Sequence, residues 1–340
     1  MGAHATSLIY EHNAVPIRRH LERDDVTELV INEPGLIGLE TRKGWEWHEE
    51  PALDNAALMT LATLIAGLTK QDISAEYPIV SSVLPGGERA QIVVPPAVEQ
   101  GYISITVRKA SGVSMDIDDF DRAGLFSEVR ARGLQEEVDA QLQGYRGAGD
   151  WKAFFRLAVE SRKNILISGA TGSGKTSFSK GLIKLIPEEE RILTIEDTRE
   201  LVVPHRNHVH MMYAKDGKSL QKAGAKELLE SALRMRPDRI LLQELRDGTA
   251  FFYLRNVNSG HPGSITTVHA NTAEGALEQL TLLVKESEGG NDLDRLDIQA
   301  LLRSLVDIVV QMHRIPPADR QPARYRMTEV WFDPAGKSRD

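Results

Sequence analysis

Apolar positions in the second half of the chain fall into short unbroken runs, each followed by a stretch of helical period. Ile165-Leu166-Ile167, Arg191–Ile195, Arg239–Leu245, Ser264–Val268 and Val306–Met312 read as strands buried on both faces, with further strands at His208–Tyr213 and near Tyr325–Phe332. Trp151, Phe154, Phe155, Ala158 and Val159 recur at helical spacing behind a capping Asp150, as do Phe178, Leu182, Ile183, Leu185 and Ile186 before Pro187. More helices are predicted from Ala225 to about Met235, Thr249 to Val257, Thr272 to Lys285 and Asp297 to Leu305. Strands alternating with helices predict an α/β fold with a mostly parallel sheet covered on both faces.

The first half has a different rhythm. Val26–Ile31, the Glu33-Pro34-Gly35 turn, Leu36–Glu40 and the alternating Trp45 and Trp47 read as short strands. Asp54 caps a helix through Leu58, Leu61, Leu64, Ile65 and Leu68. Pro85-Gly86-Gly87 turns into strand Arg89–Val94, and Tyr102–Val107 forms another. This predicts a smaller α+β domain over residues 1–110. Residues 111–150, with the acidic positions Asp116, Asp118, Asp119 and Asp121 and a short helix from Gly133 to Leu142, read as an interdomain connection. A segment of this length is long for a loop inside a compact domain and could carry one domain onto a neighbouring copy. The α/β domain then spans 151–340.

Composition adds little that is positive. The 340 residues carry a formal net charge of −8 with a sequence pI near 5.8, which weighs against nucleic acid as a specific partner. There is no cysteine, so disulfides, thiol catalysis and cysteine-ligated zinc are excluded. No apolar run reaches the length of a membrane span, and the start lacks the pattern of a secretory signal.

The chemistry concentrates in Asn164–Thr176. Here Gly169, Ala170, Thr171, Gly172, Ser173, Gly174, Lys175 and Thr176 satisfy G-x-x-x-x-G-K-[ST] between an apolar strand and a helix pattern, and with Ser177 they are the expected nucleotide-binding residues. Such glycines let backbone N–H groups point at phosphate oxygens beside a helix N-terminus; the lysine reaches the β/γ-phosphates and the hydroxyl binds Mg²⁺. ATP and Mg²⁺ are the expected cofactors.

Further polar stretches close buried strands, where open α/β folds place ligands. Thr194-Ile195-Glu196-Asp197 offers Glu196 or Asp197 as a carboxylate for water or metal. Ile240–Glu244 has the form of a Walker B strand, its acid holding Mg²⁺ directly or through water, and Gly260–His269 brings His269 to a strand end. Arg234, Arg236 and Arg246 flank these elements.

Taken together these four ordered boxes resemble the secretion-ATPase superfamily, most closely the hexameric traffic ATPases of type IV secretion systems. Leu84–Val93 and Ile103–Lys109 extend the resemblance into the first half. It implies a RecA-like ATPase domain, a smaller N-terminal domain, and nucleotide at their junction in a homo-hexamer. It also implies partners among the inner-membrane and cytoplasmic secretion components, and a cytoplasmic place peripheral to the inner membrane. By the same resemblance Lys175 and Thr176 hold phosphate and Mg²⁺, Glu196 activates water, Glu244 is the Walker B acid and His269 senses the γ-phosphate. Arg89 and Arg108 reach the phosphates from the N-terminal domain. Gln243 departs from the small residue usual before the Walker B glutamate. A nucleotide-dependent docking scaffold, a pilus-type motor and a DNA-translocating motor are the competing readings.

Overall fold

A computed structural model describes residues 3–109, 115–127, 133–214, 220–317 and 322–335. Parts of the 111–150 connection lie outside the described residues. The first half opens with helices α1 (Ala3–Asn13) and α2 (Val15–Leu21), which the pattern along the sequence does not announce. Six strands then form one antiparallel sheet: β1 (Val26–Ile31), β2 (Leu36–Thr41), β3 (Gly44–Glu49), β4 (Ile79–Val83), β5 (Arg89–Val93) and β6 (Ser104–Arg108), in the order β3-β2-β1-β6-β5-β4. Helix α3 (Asn55–Leu68) starts at Asp54, whose carboxylate accepts from the Ala57 amide at 2.8 Å. Leu58, Leu61 and Ile65 of α3 pack with Ile17, Leu29, Ile37, Ile92 and Ile105 into one apolar cluster. β4 is a strand the sequence hides, because Ser81 and Ser82 interrupt its apolar positions. Ser82 is nonetheless buried and donates to the Ile65 carbonyl.

After α4 (Ile117–Arg122) and α5 (Gly133–Ala148) comes the α/β half. Its elements in order are α6 (Trp151–Glu160), β7 (Ile165–Gly169), α7 (Lys175–Ile183), β8 (Ile192–Glu196), β9 (His208–Met212), α8 (Ala225–Ala232), β10 (Arg239–Leu242) and α9 (Thr249–Val257). β11 (Ile265–Val268), α10 (Ala273–Glu286), α11 (Arg295–Leu305), β12 (Ile308–Ile315) and β13 (Arg324–Phe332) complete it. Strands β9, β8 and β10 are parallel, as are β11, β7 and β12; β13 runs antiparallel at the edge. A parallel bridge between Glu244 and Thr267 joins the two groups in the order β9-β8-β10-β11-β7-β12-β13.

Alternate residues of these strands enter two separate cores, which is why the runs are apolar throughout. Leu166, Leu193, Ile240 and Val309 pack with α8, α9, α10 and α11. Ile165, Ile167, Ile192, Leu241 and Ile308 pack with α6 and α7. Leu142 of α5 is buried in this second core, and Arg146 donates to the Phe332 carbonyl at 2.8 Å, so α5 rides on the α/β half.

The two halves pack directly on each other within one chain. Val98 bridges Met211 of the edge strand β9, and Gln91 donates to Ser231 of α8 at 2.8 Å. Arg191, fully buried, donates to Met235 O at 2.9 Å, Asn32 Oδ1 at 2.8 Å, Asn207 Oδ1 and Thr106 Oγ1. The N-terminal sheet thus covers the β9 end of the large sheet.

Candidate active site

Where β7 enters the loop, Gly169 has no room for a side chain. A Cβ on Gly169, where φ is 154°, would meet Ser173 and lie 2.5 Å from Met312 O of the neighbouring strand. Gly174 caps α7 in the left-handed region at φ 93°, with Tyr325 beside it. The loop and first turn of α7, Gly172 to Phe178, line a cavity of about 550 Å³ that Met312 and Tyr325 close. Its mouth is a helix N-terminus, where backbone amides face the opening.

Lys175 is buried and folds back over the loop, donating to Gly169 O at 2.7 Å and Ala170 O at 3.2 Å. Burial pulls its pKa below the usual lysine range, against the opposing pull of Glu244. Its Nζ also lies 3.4 Å from His269 Nδ1, and His269 Nε2 lies 2.6 Å from Glu244 Oε1. A carboxylate only accepts, so the ring donates from Nε2 and receives the lysine on Nδ1. Glu244's other oxygen accepts from Arg246 Nε at 2.6 Å, and Arg246 Nη1 lies 3.6 Å from Asp197 Oδ2. Four strand ends therefore deliver one chain of charges: Lys175, His269, Glu244, Arg246, Asp197.

Glu196, which the resemblance makes the water-activating carboxylate, lies outside that chain of side chains in this structure. Its side chain is fully buried, and it accepts from Thr194 at 2.7 Å, His210 Nδ1 at 3.1 Å and the amides of Glu200 and Leu201 at 2.8 Å. Burial alone would raise its pKa. The bonds from His210, the two amides and Thr194 outweigh that and hold it below the ordinary value. The side chain anchors the turn after β8, and its neighbour Asp197 faces Arg246.

Arg89 and Arg108 do not line the loop cavity either. They sit opposite each other on β5 and β6 and, with Arg234 of the α/β half, line a different cavity of about 310 Å³. Four strand spacings separate β9, which the N-terminal sheet covers, from β7, which ends in the loop, roughly 19 Å at ~4.8 Å per strand. Gln243 is buried with Oε1 unpartnered among the described residues. Tyr325 and Met312 escaped the sequence reading, since nothing local to β12 or β13 signals that they border a loop 150 residues earlier.

For a metal, Thr176 lines the cavity, while both Glu244 oxygens are already engaged by His269 and Arg246. Among the described residues no three His, Asp or Glu side chains cluster as a metal cage. This donor set suits Mg²⁺, which keeps its waters and binds through substrate phosphates with one or two protein ligands.

The mixed α/β fold and this charged edge define a protein of the secretion-ATPase class. The chain belongs to the type II/IV secretion system protein family, which matches residues 61–331. It is 53% identical over 331 residues to the type IV secretion system protein VirB11 of Bartonella henselae, covering 94% of this chain and 91% of the relative. It is 42% identical over 314 residues to PtlH of Bordetella pertussis, another type IV secretion system protein, covering 92% and 91%. The crystal structure of the VirB11 ATPase of Brucella suis, solved in complex with sulphate, superposes with a TM-score of 0.90 at 39% identity, over 98% of this chain and 97% of that one. No helix among the described residues is long and apolar enough to cross a membrane.

Proposed function

We propose that this chain is the ATPase of a type IV secretion system, hydrolysing ATP to power assembly of the machine or transfer of its DNA or protein substrate. The observation that carries the reading is the convergence of Lys175, His269 and Glu244 at the mouth of the glycine loop. The loop amides from Gly169 to Ser177 and Lys175 bind the phosphates, and Thr176 and Glu244 are the residues that would hold Mg²⁺. When bound, the metal would supply charge neutralisation to the phosphates. Lys175 lies on loop carbonyls and is free to exchange them for phosphate oxygens, because those contacts are the weaker neutral acceptors. His269, bonded at both nitrogens, then reports phosphate occupancy to Glu244. Asp197 and Glu244 share Arg246, which sets their orientation toward the attacking water.

Residues 151–340 form a RecA-like domain, residues 1–110 a smaller N-terminal domain, and 111–150 the connection, with α5 carried on the ATPase domain. Since the N-terminal domain packs at the far edge of its own chain's sheet, Arg89 and Arg108 serve a nucleotide held by another copy. This favours a ring, and six copies is the number we propose. The ring sits at the cytoplasmic face of the inner membrane, held there by partner proteins.

Lys175→Ala tests the reading. Turnover is expected to fall by far more than the tenfold that ~1.4 kcal/mol of barrier represents, and secretion to stop while particles of unchanged symmetry still assemble. Secretion at the normal level would make the ring a docking scaffold instead.

A further inference from the structure

One residue from each strand of the N-terminal sheet falls in a single cross-strand row: Val83, Arg89, Arg108, Glu28, Glu40 and Trp45. Directly opposed residues of antiparallel strands share a face, so the row places two arginines beside two glutamates on one surface. The Leu233–Asp238 segment of the ATPase half lies over the acidic end of the row. Arg236 donates to Glu40 at 2.8 Å and stands 5.5 Å over the Trp45 ring, while Arg234 shares the basic cavity with Arg89 and Arg108.

Glu28 is the odd member. Its side chain is only 5% exposed, whereas its partner Arg108, 3.3 Å away from Nε to Oε1, is 61% exposed. Its second oxygen is buried and has no hydrogen-bond partner among the described residues. The other cations facing it are committed elsewhere: Arg236 to Glu40 and Asp238, and Arg191 to Asn32, Asn207, Met235 and Thr106. Glu40 faces it across β2 with like charge. A buried carboxylate with one long ion pair is under-compensated, so its hold on Arg108 is the contact that a stronger anion can replace.

We propose that Glu28 is a positioning residue that holds Arg108 against the sheet when no phosphate is engaged and competes with phosphate for that guanidinium. The proposal rests on the reading that Arg108 meets the nucleotide phosphates of another copy. Burial, reinforced by Glu40 and opposed by Arg108, Arg236 and Arg191, lifts the Glu28 pKa to about 7. The competition is therefore strongest above neutral pH, where Glu28 is ionised, and fades as pH falls and the carboxyl takes up a proton. Arg108 is released for phosphate at the acid side.

The test measures KM for ATP and kcat of the assembled full-length protein between pH 6 and 8.5, for wild type, Glu28→Gln, Glu28→Asp, Arg108→Ala and the Glu28→Gln, Arg108→Ala pair. Glu28→Gln is expected to lower KM at pH 8 by roughly two- to fivefold, the range for a partly exposed ion pair, with kcat little changed. It should also remove the part of the pH dependence that Glu28→Asp retains. Arg108→Ala supplies the baseline for the titration of ATP itself, and in that background Glu28→Gln should do nothing more. An unchanged KM and pH profile in Glu28→Gln, with Arg108→Ala still weakening ATP, overturns the role of Glu28 alone. Wild-type KM in Arg108→Ala overturns the underlying reading. If Glu28→Gln acts equally without Arg108, or lowers the melting temperature and kcat together, Glu28 is a structural residue and the proposal fails.

Discussion

Glu244 and His269 end two different strands, yet the imidazole Nε2 and the carboxylate Oε1 lie 2.6 Å apart. β10 and β11 are brought side by side by the parallel bridge at Glu244 and Thr267, which sets His269 just past the end of its strand and level with the acid. The ring's second nitrogen faces Lys175, so a single side chain spans the basic and acidic parts of the site.

Replacing that link separates binding from turnover. His269→Ala leaves the glycine loop intact but frees both Lys175 and Glu244 from the ring. Turnover is expected to drop roughly a hundredfold, in line with the loss of one preorganised polar contact at a reacting centre, while nucleotide affinity changes much less. Steady-state hydrolysis beside a fluorescent-nucleotide titration measures both, and wild-type kcat would count against the link.

Glu196 and Asp197 should part company under mutation. Glu196→Ala strips acceptors from Thr194, His210 and two backbone amides, and buried donors left unpaired cost about 1–3 kcal/mol each. Its melting temperature should fall by several degrees. Asp197→Ala should melt normally and lose turnover. The reverse pattern in calorimetry and hydrolysis assays would give the catalytic role to Glu196.

Tyr325 lines the loop cavity beside Gly174, where a Cβ on the glycine would lie 3.2 Å from its ring. Tyr325→Ala should raise KM for ATP about fivefold with kcat retained, corresponding to about 1 kcal/mol of stacking on the nucleoside, and Tyr325→Phe should behave as wild type. Equal KM values for all three would remove Tyr325 from the binding site.

Stability should fall on the acid side because of His208. Burial, then the neighbouring His210, lowers its pKa to about 4 from the ordinary 6.5. Below 6.5 the unfolded chain takes up a proton that the folded chain refuses. The stabilisation is whole above 6.5 and is lost as pH falls toward 4, by at most about 3 kcal/mol. Melting temperatures recorded from pH 8 to 4 should show the slope, and His208→Asn should flatten it. An identical slope in that variant would assign it to other groups.

What the sequence settled by itself was local. The run of strand, glycine loop and helix from Asn164 to Ile186 is written in neighbouring residues, because the loop's backbone geometry and the helix N-terminus need only a few consecutive positions. The apolar runs of β7, β8, β10, β11 and β12 were equally legible, since strands covered on both faces must be apolar at every position. Helices α1 and α2 and strand β4 were not, because their burial depends on partners elsewhere: α1 docks on α3, and Ser82 is tolerated inside only because the Ile65 carbonyl receives its proton. Tertiary structure alone decided which neighbours each of two adjacent acids meets. Successive strand residues point to opposite faces, so Glu196 went inward to His210 and Asp197 toward Arg246. It likewise set Arg108 against Glu28, and placed Arg89, Arg108 and Arg234 at a cavity apart from the loop, because register between β1, β5 and β6 and the docking of the sheet at β9 are long-range pairings that no single segment encodes.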